Sequence, residues 1–200
     1  MSFATGIPAP TWPAPPEGGW TADDLDALPD LPHHTQLIDA SLVFPCPQSV
    51  FHERATGFFG RSLHDAAPPQ LDVILRFTID IDRQNRPEPD VVVFREEALK
   101  SNDQTRIPAA AVVLAVEVVS EDSGSRDRET KPLKYARAKI PYYWRVENER
   151  GRAAVHVFEL EPTTGAYTSA GIFRDRLKTE VPFPLDLDLG QIKARRDPAE

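Results

Sequence analysis

Two carboxylates stand where carboxylates are costly. Asp90 follows Pro89 and opens the run Asp90-Val-Val-Val-Phe94. Glu117 lies inside Val112-Val-Leu-Ala-Val-Glu-Val-Val119. Both segments have the composition of buried strands, and burying a lone carboxylate there is unfavourable without compensation. A pair of them points to a metal ion, a proton relay or a nearby compensating cation. Asp90 and Glu117 are therefore the first candidates for chemistry.

The elements that position them are legible in part. Thr21-Ala-Asp-Asp24 is an N-cap followed by acids in a first turn, and Pro29 ends the short helix it starts. Gln36 to Phe44 reads as a strand or a hairpin turning at Asp39-Ala40. From Ser49 to Asp65, apolar residues at Val50, Phe51, Ala55, Phe58, Phe59 and Leu63 predict an amphipathic helix. Leu71 to Ile79 has strand composition, Asn85-Arg-Pro87 signals a turn, and a strand over 90–94 follows. Residues 103–108 read as a loop. The β-branched run 109–119 suits a strand buried on both faces. A polar loop over 120–128 leads to a helix over roughly 130–139, because Pro132 is tolerated only in a first turn. Strands are expected over 141–146 and 153–160, and a final strand or docked tail over 181–189. Such a chain is a mixed α/β fold with one central sheet and at least two helices against it.

Composition narrows the function classes. The 200 residues carry 40% hydrophobic and 27% charged side chains, ordinary for a soluble globular protein. No apolar run approaches the ~20 residues of a membrane helix. The N-terminal residues lack a basic start and an apolar stretch, so no signal peptide is expected. The single cysteine, Cys46, cannot build an internal disulfide framework or a thiolate metal site. Together these favour the cytoplasm. The five histidines show no zinc spacing, and no phosphate-binding glycine loop or Gly-x-Ser-x-Gly elbow occurs. A net charge of −8 argues against bulk attraction to nucleic acid, but residues 126–152 hold nine Lys or Arg against four Asp or Glu. That stretch is a basic patch for a phosphate backbone or a solvated helix face. Residues 1–19, rich in Pro and Gly, predict a flexible tail.

An ordered set of short motifs carries more than any one of them. Trp20-Thr-Ala-Asp-Asp-Leu-Asp-Ala-Leu-Pro29 comes first, followed by Gln36-Leu-Ile-Asp39, residues 47–52 and Pro89-Asp90. Val116-Glu-Val-Val-Ser120 and the stretch from Asp127-Arg-Glu-Thr-Lys131 to Trp144 complete it. In this order the chain resembles the Uma-two family of restriction-endonuclease-like proteins, within the PD-(D/E)XK nuclease superfamily. The resemblance spans roughly residues 20–190, leaving a polar C-terminal tail over 191–200. It implies a restriction-endonuclease-like core, a twisted mixed central sheet flanked by helices. It also implies that Asp90 and Glu117, with the carbonyl of Val118, hold Mg²⁺ or Mn²⁺ for phosphodiester hydrolysis in DNA; a homodimer is expected only by analogy with single-domain nucleases of this size.

Two positions depart from the pattern. The superfamily's usual lysine follows the glutamate by two residues, where this chain has Val119. Lys131 on the next helix is the matching position, with Lys134 the near alternative. The family's Glu before Leu-Ile-Asp is Gln36 here, an amide that brings no charge, and Ala40 replaces the usual Gly at the following turn. His52 matches a family position on the long helix and can touch the site or simply pack. Asp127 can hold Lys131 or cap a loop. Ser120 can hydrogen-bond a ligand or begin a turn, while Tyr135 reads as core. Tyr142, Tyr143 and Trp144 can stack on bases or fill the core. Three readings follow: a metal-dependent DNA endonuclease; a catalytically impaired nucleic-acid-binding or regulatory module on the same fold; or a structural protein whose two acids merely meet cations such as Arg76 or Lys131.

Overall fold

The computed structural model describes residues 13–192. Most of the expected N-terminal tail (residues 1–12) and most of the C-terminal one (residues 193–200) lie outside the described residues.

Helix α1 (Ala22–Ala27) starts with a reciprocal capping box. The Thr21 side chain accepts from the Asp24 N–H, and the Asp24 carboxylate accepts from the Thr21 N–H at 2.9 Å. Strands β1 (Gln36–Ile38) and β2 (Ser41–Val43) form the expected hairpin. Its turn residues Asp39 and Ala40 have φ of 47° and 59°, the left-handed pair that a two-residue hairpin turn requires. Ala40 therefore sits where a glycine would be at ease. Helix α2 (Val50–Ala66) begins at Ser49, whose hydroxyl accepts from the His52 N–H at 3.2 Å.

The stretch 71–79 is not one strand. It divides into β3 (Leu71–Leu75) and β4 (Thr78–Asp80), broken at Arg76, where φ is 49°. After β5 (Val91–Arg95), the expected loop contains β6 (Arg106–Pro108), which pairs in parallel with β4. The run 109–119 opens with a 3₁₀ turn over Ala109–Ala111 before β7 (Val112–Val118). The polar loop after it is shorter than expected, because a π-helical turn over Arg126–Thr130 runs directly into α3 (Lys131–Arg137). Pro132 does fall in the first turn of α3. The wider turn before it satisfies the Lys131 N–H through the Arg126 carbonyl, five residues back. Strands β8 (Tyr142–Glu149), β9 (Arg152–Glu161) and β10 (Ala166–Phe173) follow, then the hairpin β11 (Arg176–Thr179) and β12 (Leu185–Asp188).

Six strands form the central sheet in the order β10-β9-β8-β7-β5-β3. Only β7 and β8 run parallel, so the sheet is mixed, as expected. Alternation divides its side chains between two cores. Val91, Val93, Val116 and Val118 pack with Phe59 of α2 and Trp144. Val92, Phe94 and Ala115 pack with Tyr135 of α3 and Tyr143.

Candidate active site

The antiparallel register of β5 and β7 pairs Val91 with Val116. One step further, Asp90 stands across from Glu117, on the α3 face of the sheet. Asp90 Oδ2 accepts from the Val118 N–H at 2.7 Å, and Oδ1 lies 3.2 Å from His52 Nε2. His52 reaches it from the first turn of α2, around the end of the sheet. The Asp90 side chain is 14% exposed and borders a pocket of about 280 Å³.

Glu117 is sealed behind it, 2% exposed. Its Oε2 lies 2.9 Å from Lys131 Nζ, and its Oε1 accepts from the Tyr135 hydroxyl at 2.6 Å. Lys131 Nζ also lies 3.2 Å from Asp127 Oδ1. Asp127, Lys131 and Tyr135 are spaced four apart, so the helical turns aim all three at the glutamate. Burial pushes the Glu117 carboxyl up, to about 8; Lys131 pulls against this, while Asp127 and Asp90 add to it. Burial opposes the Lys131 charge too, but Glu117 and Asp127 outweigh it and hold the ammonium above the usual lysine range. Tyr135, buried beside Glu117, is held well above the ordinary phenol range. It is thus a core tyrosine that also binds the glutamate.

The structure brings Asp90, Glu117, Val118, His52, Asp127 and Lys131 together. Ser120 borders the pocket, its hydroxyl 3.0 Å from that of Ser123. Gln36 also borders it, and Gln36 Oε1 accepts from the Glu88 N–H at 3.1 Å. Lys134 does not join the group: it pairs with Asp39 in the β1–β2 turn. It stands three residues after Lys131, close to the same helix face, and its side chain ends on the hairpin turn instead of on Glu117. Arg76 pairs with Glu53 rather than with either acid. Tyr143 and Trp144 are fully buried and so closed to base stacking. Five of the nine cations in the basic stretch are ion-paired: Arg128 and Arg145 share Glu147, Arg152 meets Asp175, Lys134 meets Asp39, and Lys131 is buried on its acids.

Sequence reading missed Glu88. It borders the same pocket and contacts His34; burial raises its carboxyl while His34 pulls it down. Its signal was available: Glu88 and Asp90 flank Pro89, and a residue before proline is held extended, which turns alternate side chains the same way.

Asp90 and Glu117 fit a hard divalent cation by donor chemistry. Each of their oxygens carries a second lone pair beyond the contact described. Both acids do meet side chains, yet the pocket beside Asp90 leaves room for more. Among the described residues no three His, Cys, Asp or Glu side chains already form an ion site. Mg²⁺ commonly takes one or two carboxylates and completes its shell with water and phosphate oxygens.

The mixed sheet with its flanking helices has a counterpart among solved structures. A structure described as "a putative nuclease belonging to DUF820 from Anabaena variabilis ATCC 29413" matches with a TM-score of 0.65 and 17% identity, over 86% of this chain and 96% of that one. The chain belongs to the Uma2 family, described as "Putative restriction endonuclease", whose model matches residues 22–190. Apo NucC of E. coli MS115-1 aligns with a TM-score of 0.35 and 12% identity, over 60% of this chain and 78% of that one, too weakly to carry an argument. No curated protein matches the sequence. No helix among the described residues is long and apolar enough to cross a membrane.

Proposed function

We propose that this nuclease-family protein is a metal-dependent endonuclease that hydrolyses phosphodiester bonds in DNA. Asp90 and Glu117 would hold Mg²⁺ or Mn²⁺, with the Val118 carbonyl as a further oxygen. When bound, such an ion lowers the pKa of a water and stabilises charge growing on a phosphate.

The observation that carries the reading is Lys131. It is 4% exposed, held by two carboxylates, and still borders the pocket beside Asp90. A buried lysine is costly. One whose ammonium is fixed at a pocket floor is preorganised to meet negative charge there, without reorganisation during the reaction. The other residues position: His52 orients Asp90, Tyr135 orients Glu117, and Asp127 keeps Lys131 charged. A homodimer in the cytoplasm would supply two such sites, one for each strand of a duplex.

Gln36 favours a second reading. Its amide oxygen is committed to the Glu88 backbone, so the position contributes no charge to the pocket. A binding or regulatory module on the same fold would keep affinity for DNA and lack turnover.

Plasmid nicking with Mn²⁺, wild type beside Glu117→Gln, tests both. Nicking by wild type alone is expected. Equal nicking by the two removes Glu117 from the mechanism; DNA binding by wild type without nicking establishes the second reading.

A further inference from the structure

Arg76 breaks the strand run 71–79 with a backbone φ of 49°. That left-handed conformation crowds a β-carbon against the following carbonyl, so arginine gains nothing locally from it. Strain of this kind persists where the surroundings over-determine it, and it clusters at functional sites. Here the surroundings include the site itself, because the Arg76 N–H donates to the Asp90 carbonyl at 3.1 Å.

The same conformation sets the guanidinium at the pocket. Arg76 borders it together with Asp90, His52 and Lys131. Its side chain is 37% exposed, and its ion-pair partner, Glu53 on α2, is 51% exposed. An exchange of partners therefore needs no buried charge to be stranded. Lys131 makes no such exchange, because leaving Glu117 and Asp127 would strand two buried acids. The planar fork of a guanidinium matches two phosphate oxygens as well as it matches a carboxylate.

We propose that Arg76 is a contact for a phosphate of the DNA substrate, and that Glu53 occupies it until the phosphate arrives. This rests on the nuclease reading. Glu53 then competes with substrate, so removing its charge strengthens DNA binding. An ion pair away from the DNA would give no such gain.

The test is the anisotropy of a fluorescein-labelled DNA duplex across a salt series without divalent ions, together with thermal unfolding and the Mn²⁺ nicking assay. Glu53→Gln is expected to tighten binding several-fold. Arg76→Gly is expected to weaken it by about tenfold and to lower the slope of log affinity against log salt by about 1. Its unfolding midpoint should stay at or above that of wild type, because glycine is at ease at this φ. Arg76→Lys, which keeps a charge but not the fork, should fall between. Lower midpoints in Glu53→Gln and Arg76→Gly with unchanged affinity would make the pair structural and overturn the proposal. Wild type that binds or nicks DNA, with Arg76→Gly matching it, overturns this proposal alone. Wild type that neither binds nor nicks overturns the nuclease reading and this proposal with it.

Discussion

On the α2 face of the sheet, Val91, Val93, Val116 and Val118 meet Phe59 and Trp144 in an apolar cluster. On the α3 face, Val92 and Ala115 meet Tyr135 and Tyr143, but the same alternate row ends in Asp90 and Glu117. The two faces have similar strand composition and opposite chemical content. One supplies stability through packing. The other gives up some apolar area to a buried polar layer of Glu117, Lys131, Asp127 and Tyr135, which breaks even only while every member is paired. A carboxylate can be held inside this sheet because one helix brings an ammonium and a hydroxyl to the same place.

The sharpest way to break this comparison is one substitution on each face. Lys131→Met strands Asp127, and Glu117 once it ionises, without a cation and should cost about 3–5 kcal/mol in urea unfolding. Phe59→Ala should cost a similar amount, about 3–5 kcal/mol, through cavity formation. The faces differ in function: Phe59→Ala should still nick plasmid in its folded fraction, and Lys131→Met should not. Nicking that survives equally in both would erase the distinction.

The polar face should also respond to pH. Glu117 is raised from its ordinary 4.5 to about 8, so the folded state binds this proton more tightly than the unfolded state does. Its contribution is complete below the unfolded pKa and is lost as pH rises toward 8. Lys131 is raised as well, but its contribution declines only above the ordinary lysine range. Without divalent ions, urea midpoints should fall between about pH 5 and pH 8 in wild type and stay flatter in Glu117→Gln. Matching slopes would contradict the burial of that charge.

Tyr135→Phe removes one donor from a buried carboxylate and should cost about 1–3 kcal/mol by urea unfolding. A neutral result would mean that Lys131 alone satisfies Glu117. The smallest effect is expected at Lys134, whose partner Asp39 is on the surface: Lys134→Met should stay within about 1 kcal/mol and leave nicking intact. The contrast between two lysines on one short helix would be lost if Lys134→Met behaved like Lys131→Met.

Caps, turns and alternation were legible because their signals are local. Thr21 and Asp24, Ser49, and the Asp39-Ala40 turn announce themselves within four residues. Asp90 and Glu117 stood out because a charge in a β-branched run is anomalous in any fold. Strand β6 did not stand out: Arg106-Ile-Pro108 becomes a strand only because β4, far back in the chain, offers it an edge. Glu88 did not stand out either, as one more polar residue in the stretch 84–88.

The sequence by itself thus determined the class of fold, the two acids and a short list of cations, since propensity, capping and the cost of buried charge act over a few residues. Tertiary structure decided which lysine serves Glu117, that Arg76 meets Glu53 instead of an acid of the site, and that Glu117 is sealed while Asp90 faces the pocket. Those choices depend on strand register and on the direction of one π-helical turn, which bring together residues 14 to 38 positions apart in the chain.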